Sequence, residues 1–340
     1  MTAAPPPERE LFHGNEETFN WLDPFSSVDL GIADSADGVK QWAISNRDVI
    51  QPIKQVFNEL VVAIDTSLNA VPPTLMLILL VLIAWQAAGS RTAIIVGVAL
   101  TCLGLLSPDA WGLAMTTLAI VIAAVVVCFV IGLPLGILAA KNDTFEKMLR
   151  PVLDTMQTIP AFVYLVPVVM LVGIGNVSGV IVTIIFALRP LIRLTSLGIR
   201  GVNPSVVEAA KAFGASPRQI LFKVELPLAT PTILAGVNQT IMLSLSMVVI
   251  ASMISVKGLG NEVLRAMGRL DAGKAIVGGL GIVILAIVLD RISQGMGQSG
   301  RERGHRHWWQ GGPVGLALKM TGPKNETTPP APQAAAKPET

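Results

Sequence analysis

The charged residues that could bind a partner are concentrated in residues 207–232 of a largely apolar region, VEAAKAFGASPRQILFKVELPLATPT. This segment carries three Lys or Arg residues and two Glu residues, with Pro and Gly between its apolar positions. A connection between two helices needs only about five residues. A solvated connection is the plain alternative, but the length and the charges favour a docking surface for an aqueous partner.

The residue types needed for catalysis or ion coupling are not arranged for either task. The sequence has no GxxxxGK[ST] phosphate-binding loop and no Ser-His-Asp, Cys-His or paired-carboxylate arrangement. Its long apolar runs have no central Asp or Glu, the usual carriers of proton or sodium coupling. Cys102 and Cys128 both lie in apolar runs, which argues against a disulfide framework or a Cys-based metal site. We expect no catalytic residue, metal or cofactor in this chain, so energy for uphill transport would come from another subunit.

The composition is that of a membrane protein. Of 340 residues, 52% are hydrophobic and 14% are charged, and the mean hydropathy is +0.62. Soluble domains carry about a quarter charged residues. The net charge of +2 gives no support for a nucleic acid partner.

Long apolar runs predict an all-α, polytopic transmembrane bundle of about seven spans, since one crossing needs about 20 apolar residues. Lys and Arg cluster in 140–151, in 207–232 and after the last run, which predicts that these parts are cytoplasmic. The N-terminus would then lie outside and the C-terminus inside, although the basic residues of 255–274 run against this rule. The GLPLG stretch at 132–136 predicts a kink or a helix break, and its glycine spacing also permits close helix packing. The expected spans are roughly 72–89, 92–107, 112–139, 152–174, 177–197, 231–254 and 275–290.

The distribution of charge divides the chain into three expected parts. Residues 1–70 hold eleven Asp or Glu against four Lys or Arg, and 38–69 reads as an amphipathic helix at the outer interface. Residues 71–295 form the membrane domain, with a cytoplasmic loop at 199–230 and a short helix at 259–270 over the outer mouth. Residues 296–340 form a cytoplasmic tail that is basic at first and then Pro/Ala-rich and disordered.

Helix signals in the cytoplasmic loop predict two short helices. Asn203-Pro204 places an Asn cap before Pro at the first helical position. Gly214 is the residue type that ends a helix in a left-handed conformation. Ser216-Pro217 repeats the start, and Pro227 is expected to close the second helix. We therefore expect a helix–turn–helix that lies parallel to the membrane.

The same loop resembles the EAA loop of ABC-importer permeases, through Glu208-Ala209-Ala210, Gly214, Ile220 and Leu226-Pro227. In that family the loop is a coupling helix that fits a groove of the cytoplasmic ATPase. The resemblance therefore implies an ATPase-coupling site and the type I importer permease fold. The implied coupling residues are Glu208, Ala209, Ala210, Phe213, Gly214, Arg218, Ile220, Leu226 and Pro227.

Further stretches are similar to permease subunits of glycine betaine/L-proline importers. These are 154–167 (DTMQTIPAFVYLVP), 213–219 (FGASPRQ), 236–240 (GVNQT) and 246–253 (SMVVIASM), and the likeness covers roughly residues 70–300. Arg189 departs from the apolar residue or Pro expected there. The resemblance implies a homodimer in a bacterial inner membrane, two copies of an ATPase that binds Mg-ATP, and an extracytoplasmic substrate-binding protein.

Candidate residues for the solute path rest on chemistry and on this resemblance. Aromatic faces hold quaternary ammonium groups well, and Phe162 and Tyr164 lie near Gln157 in the sequence. Polar residues of the sixth span would line the path or, equally, form hydrogen bonds between helices. These are Asn238, Gln239, Ser244 and Ser246.

Other functions remain open from the sequence. An osmotically gated passive channel would not need the 203–227 docking element. An importer permease for another small polar solute, such as an amino acid or a choline-like compound, would need it. A membrane enzyme is disfavoured because no catalytic arrangement is present.

Overall fold

The computed structural model describes residues 45–297 and the isolated positions 38, 41, 42 and 313. The chain forms two compact units, Met1–Ile50 and Gln51–Thr340, and most of the first lies outside the described residues. The predictions made for the acidic segment before residue 38 and for nearly all of the tail 296–340 therefore concern residues outside the described part. All regular elements of the described part are helices: α1 (Arg47–Ala70), α2 (Pro73–Ala88), α3 (Ser90–Leu106), α4 (Ala110–Lys141), α5 (Asp143–Thr158), α6 (Leu165–Val172), α7 (Asn176–Arg200), α8 (Pro204–Ala212), α9 (Pro217–Ile220), α10 (Leu226–Ile250), α11 (Leu259–Gly268) and α12 (Ala272–Gly297).

The predicted all-α, polytopic bundle is confirmed. In the described part of the chain, four continuous helices are long and apolar enough to cross a membrane: α4, α7, Pro217–Ile254 and α12. The count rises to six if two bent pairs each form one span, α1 with α2 (bent by 106°) and α5 with the segment Ala161–Val172 (bent by 103°). The 17-residue α3 is apolar but shorter.

The expectation of one unbroken span over 152–174 is wrong. The helix ends at Thr158, and Ile159 is extended with φ −73° and ψ 127°. Pro160 explains the break, because a residue before Pro is pushed out of the helical region. A 3₁₀ turn, Ala161–Tyr164, then leads into α6.

The core is built on close contacts between α4, α7 and α10. Of the kink or helix break expected at 132–136, the break does not occur, because α4 runs through Pro134 without interruption. The alternative, close packing, is confirmed: a Cβ atom at Gly136 would lie 2.5 Å from the Cβ of Thr195 and 2.9 Å from the backbone oxygen of Ile192. Only glycine therefore allows α4 and α7 to approach this closely at this level of the bundle.

Helix α11 confirms the short helix predicted at 259–270, although it ends at Gly268. Its first residue, Leu259, donates its backbone N–H to the hydroxyl of Thr117 in α4, at 2.9 Å. The Thr117 side chain is buried and caps a helix from another part of the chain. This bond fixes α11 against the end of α4 that lies far from the 139–146 turn.

Candidate coupling site

The structure confirms the first helix predicted in the loop 199–230 and both of its ends. The side chain of Asn203 accepts a hydrogen bond from the backbone N–H of Ser205, at 3.0 Å. At the other end Gly214 has φ +77°, in the left-handed region. The Gly214 N–H bonds to the carbonyl of Lys211 and the Ala215 N–H bonds to that of Ala210, the paired bonds of a Schellman motif. The local residue types therefore determine where α8 begins and ends.

The second helix begins as predicted but does not end at Pro227. Ser216 and Gln219 form a reciprocal capping box at its start. The chain then passes through a π turn, Leu221–Glu225, and continues as one helix from Pro217 to Ile254. The Leu226 N–H bonds to the Leu221 carbonyl, five residues back. This wider turn accommodates the ring of Pro227, so the expected second loop helix is the first part of the next membrane helix.

Most of the implied coupling residues are exposed. None of the nine residues of α8, all of which the structure describes, is buried. The Phe213 side chain is 92% exposed, and Glu208, Ala209, Gly214, Arg218 and Pro227 are exposed as well. Ile220 is buried, and Ala210 and Leu226 are half-buried. The loop thus presents two aromatic rings, Phe213 and the 63% exposed Phe222, together with charged side chains, and Ile220 is its buried anchor.

Two sets of ionic contacts surround the loop, and sequence reasoning missed both. Glu225 in the π turn is 6% exposed and accepts a hydrogen bond from Lys141 at the end of α4. Arg200, the last residue of α7, contacts Asp143 at 2.7 Å and Glu146 at 2.9 Å. The partners lie more than fifty residues apart in the chain. The one sequence signal was a Glu within an apolar run.

Arg189, the residue that departs from the family pattern, pairs with a carboxylate. Its guanidinium lies 2.7 Å from the carboxylate of Asp154 in α5, and its side chain is 13% exposed. Together with Arg200 and Glu146, this pair joins α5 antiparallel to the end of α7. The departure from the family pattern at Arg189 is therefore accompanied by an ion pair between two helices.

The candidate path residues fall into two groups. Gln157, Phe162, Gln239 and Ser246 are exposed on the chain. The other three, Tyr164, Asn238 and Ser244, are hydrogen-bonded or buried. For Asn238 the alternative, a hydrogen bond between helices, is confirmed. In this group the Tyr164 hydroxyl donates to the Met156 carbonyl at 2.8 Å, the Ser293 hydroxyl of α12 donates to the Asn238 side chain, and Ser244 is fully buried.

No group of three or more His, Cys, Asp or Glu side chains among the described residues is arranged to hold a metal ion. The described residues form a bundle of membrane-length helices that exposes a capped helix and aromatic rings between two of them, an arrangement that suits the membrane subunit of a multi-component transporter. Residues 132–298 match the sequence profile of the family described as the binding-protein-dependent transport system inner membrane component. The chain belongs to this family.

Individual relatives agree with this assignment. The chain is 52% identical to the glycine betaine/proline betaine transport system permease protein ProW of Escherichia coli K12, over 94% of this chain and 88% of that protein. It is 47% identical to the glycine betaine/carnitine transport permease protein GbuB of Listeria monocytogenes, over 71% of this chain and 86% of that one. Among solved structures it resembles the inward-facing MetNI methionine ABC transporter, with 23% identity, a TM-score of 0.47, and coverage of 53% of this chain and 92% of that one.

Proposed function

We propose that this chain is the membrane subunit of an ATP-driven importer for glycine betaine or a closely related compatible solute. The observation that carries the proposal is the exposed, doubly capped segment around α8 in a chain that belongs to the binding-protein-dependent permease family. Relatives named for glycine betaine, proline betaine and carnitine support this substrate class, as does a choline permease at 30% identity. These solutes share a methylated ammonium group.

The proposed energy source is a separate ATPase that docks on α8. Phe213 would enter a groove of that partner, and Glu208 and Arg218 would orient it, because exposed charges guide encounter more than they add affinity. Two copies of the ATPase would serve two copies of this chain. Mg-ATP would bind there, and the chain itself would hold no cofactor.

The proposed orientation follows the basic residues. Residues 140–151, the loop at 199–230 and the tail 296–340 would be cytoplasmic, and residues 1–70 would be extracytoplasmic. The substrate-binding protein would then dock on the side of α11. The bent pair of α1 and α2 suits this arrangement, since α1 is an amphipathic helix that turns by 106° into the apolar α2.

The proposed solute path runs along one face of α10. Gln239 and Ser246 are exposed there, and they share a face because seven residues make about two helical turns. Polar side chains turned towards lipid are costly, so this face suits a second copy and a wet path between the copies. Phe162 lies on the 3₁₀ turn that contacts α10, and it would offer its ring to an ammonium group.

The test is co-purification of this chain with an ATPase of the ABC-importer class from the same organism, followed by uptake of labelled glycine betaine in a host without other betaine transporters at high osmolarity. We expect a stable complex, and uptake that requires the ATPase and the binding protein. Uptake that persists when the ATPase cannot hydrolyse ATP would instead indicate a passive channel. No uptake with every partner present would refute the substrate class.

A further inference from the structure

Both ends of the docking loop are bonded to one corner of the membrane domain. We define the coupling segment as residues 201–224 and the corner as residues 139–146, where α4 ends and α5 begins. At the first end Arg200 donates to the carbonyl of Ala139 at 2.7 Å and contacts two corner carboxylates, Asp143 and Glu146. At the second end Glu225 accepts a hydrogen bond from Lys141 of the corner.

Between these two attachments the coupling segment is loosely held. No residue of α8 is buried, and Ile220, close to the second end, is the one buried side chain of the coupling segment. Two cavities, of about 250 and 520 Å³, are lined by residues from both the coupling segment and the corner. The ionic contacts that tie the coupling segment to the corner lie at its two ends, at Arg200 and at Glu225.

The chemistry of both attachments suits the transmission of force. Arg200 uses its planar guanidinium to make several charge-assisted bonds, which fixes direction as well as distance. The carboxylate of Glu225 is buried, and a buried charge without its partner is strongly unfavourable. Separation of Glu225 from Lys141 is therefore unfavourable, which favours movement of the two residues together.

We propose that Arg200 and the Lys141–Glu225 pair are positioning residues that join the coupling segment to the corner, so that movement of α8 is passed to α4 and α5. The inference rests on the proposed function, in which α8 receives the ATPase. It assigns to these residues the conversion of ATPase movement into rearrangement of the membrane helices. Docking itself is left to the exposed residues of α8 and its C-terminal turn.

The test uses the complete transporter in lipid vesicles and measures ATPase binding, ATP hydrolysis and the amount of solute imported per ATP. In Glu225→Gln and Lys141→Met, ATPase binding and hydrolysis should persist while solute imported per ATP falls about tenfold, a typical size for coupling between sites. The reversed pair, Lys141→Glu with Glu225→Lys, should restore the ratio in large part. Arg200→Lys should lower it, because the forked contact is lost while the charge remains. The matched control is Lys147→Met, an exposed lysine of α5 that takes part in none of these contacts.

An unchanged ratio in Lys141→Met and Glu225→Gln would overturn the inference. Loss of ATPase binding in step with loss of transport would also overturn it, because the residues would then hold the docking surface together and not transmit its movement. Lys141 is about half exposed, so Lys141→Met keeps the test available if substitutions at the buried Glu225 prevent folding. Failure of the unmodified transporter to import solute with ATP would refute the proposed function instead.

Discussion

Phe213 is the residue whose substitution best separates an effect on ATPase docking from an effect on the folding of this chain. Its side chain is 92% exposed in the isolated chain, and it follows α8 directly at the turn to Gly214. Such a ring adds little to the stability of the free chain, since substitutions at exposed sites without special contacts usually stay within about 0.5 kcal/mol. If the ring fills a groove of the ATPase, its whole contribution belongs to the complex. We therefore expect Phe213→Ala to spare folding and to weaken ATPase binding.

The size of the loss follows from the area of the ring. An aromatic side chain buries roughly 150–250 Å². At about 25 cal/mol per Å², this area gives an upper limit of about 4–6 kcal/mol for the contribution of the ring to the binding free energy. Part of this is offset by ordering at the interface, and truncation of a central interface residue usually costs about 2–4 kcal/mol. The dissociation constant should therefore rise about 30- to 1000-fold.

The assay is equilibrium binding of the purified ATPase to this chain in lipid nanodiscs, with thermal unfolding of the free chain measured in parallel. The matched control is Leu270→Ala, because Leu270 is 93% exposed and follows α11, on the side proposed to be extracytoplasmic. The control should leave ATPase affinity unchanged. Wild-type affinity in Phe213→Ala, or an equal loss in Leu270→Ala, would refute the reasoning.

Three further predictions concern packing, capping and the turn after α8. Gly136→Ala should destabilise the chain by about 1–3 kcal/mol, because its new Cβ would lie 2.5 Å from an atom of α7. The control is Gly279→Ala, whose Cβ would have no atom within 4 Å, and equal unfolding temperatures of the two variants would contradict the close-packing account. Thr117→Val should lower the free energy of unfolding by about 1–3 kcal/mol, because the Leu259 N–H loses its acceptor; hydrogen exchange in α11 that does not accelerate would speak against the cap. Gly214→Ala should cost about 1–2 kcal/mol in the turn and weaken ATPase binding, since φ is +77° there; an unaltered affinity would show that docking does not need this turn.

Local signals in the sequence predicted the local structure of the candidate site. Asn203, Gly214 and the Ser216-Pro217 start act within a few residues of themselves, and all three appear as expected. The prediction that Pro227 ends the second helix was wrong, because the effect of Pro227 depends on the π turn before it, and no residue type specifies a π turn. Pro160 does break the fourth apolar run, and hydropathy alone hid the break because the residues after it are as apolar as a membrane span.

The contacts between distant parts of the chain could not be predicted in the same way. Arg189 stood out because it is charged within an apolar run, but nothing local points to Asp154 as its partner. The two attachments of the coupling segment were missed entirely, since Arg200 and Glu225 find their partners at the end of α4 only after α4, α7 and α10 have packed together. Such pairs depend on tertiary structure and carry no periodic signal.

The central claim is that a separate ATPase subunit drives the transport of solute through this chain. The most direct measurement reconstitutes the chain, the ATPase and the binding protein in lipid vesicles, with ATP on the ATPase side and labelled glycine betaine with the binding protein on the other. The account predicts accumulation against a gradient that needs ATP, and its loss with an ATPase that binds ATP but cannot hydrolyse it. Equal entry with and without ATP, ending at equal concentrations on both sides, would contradict it.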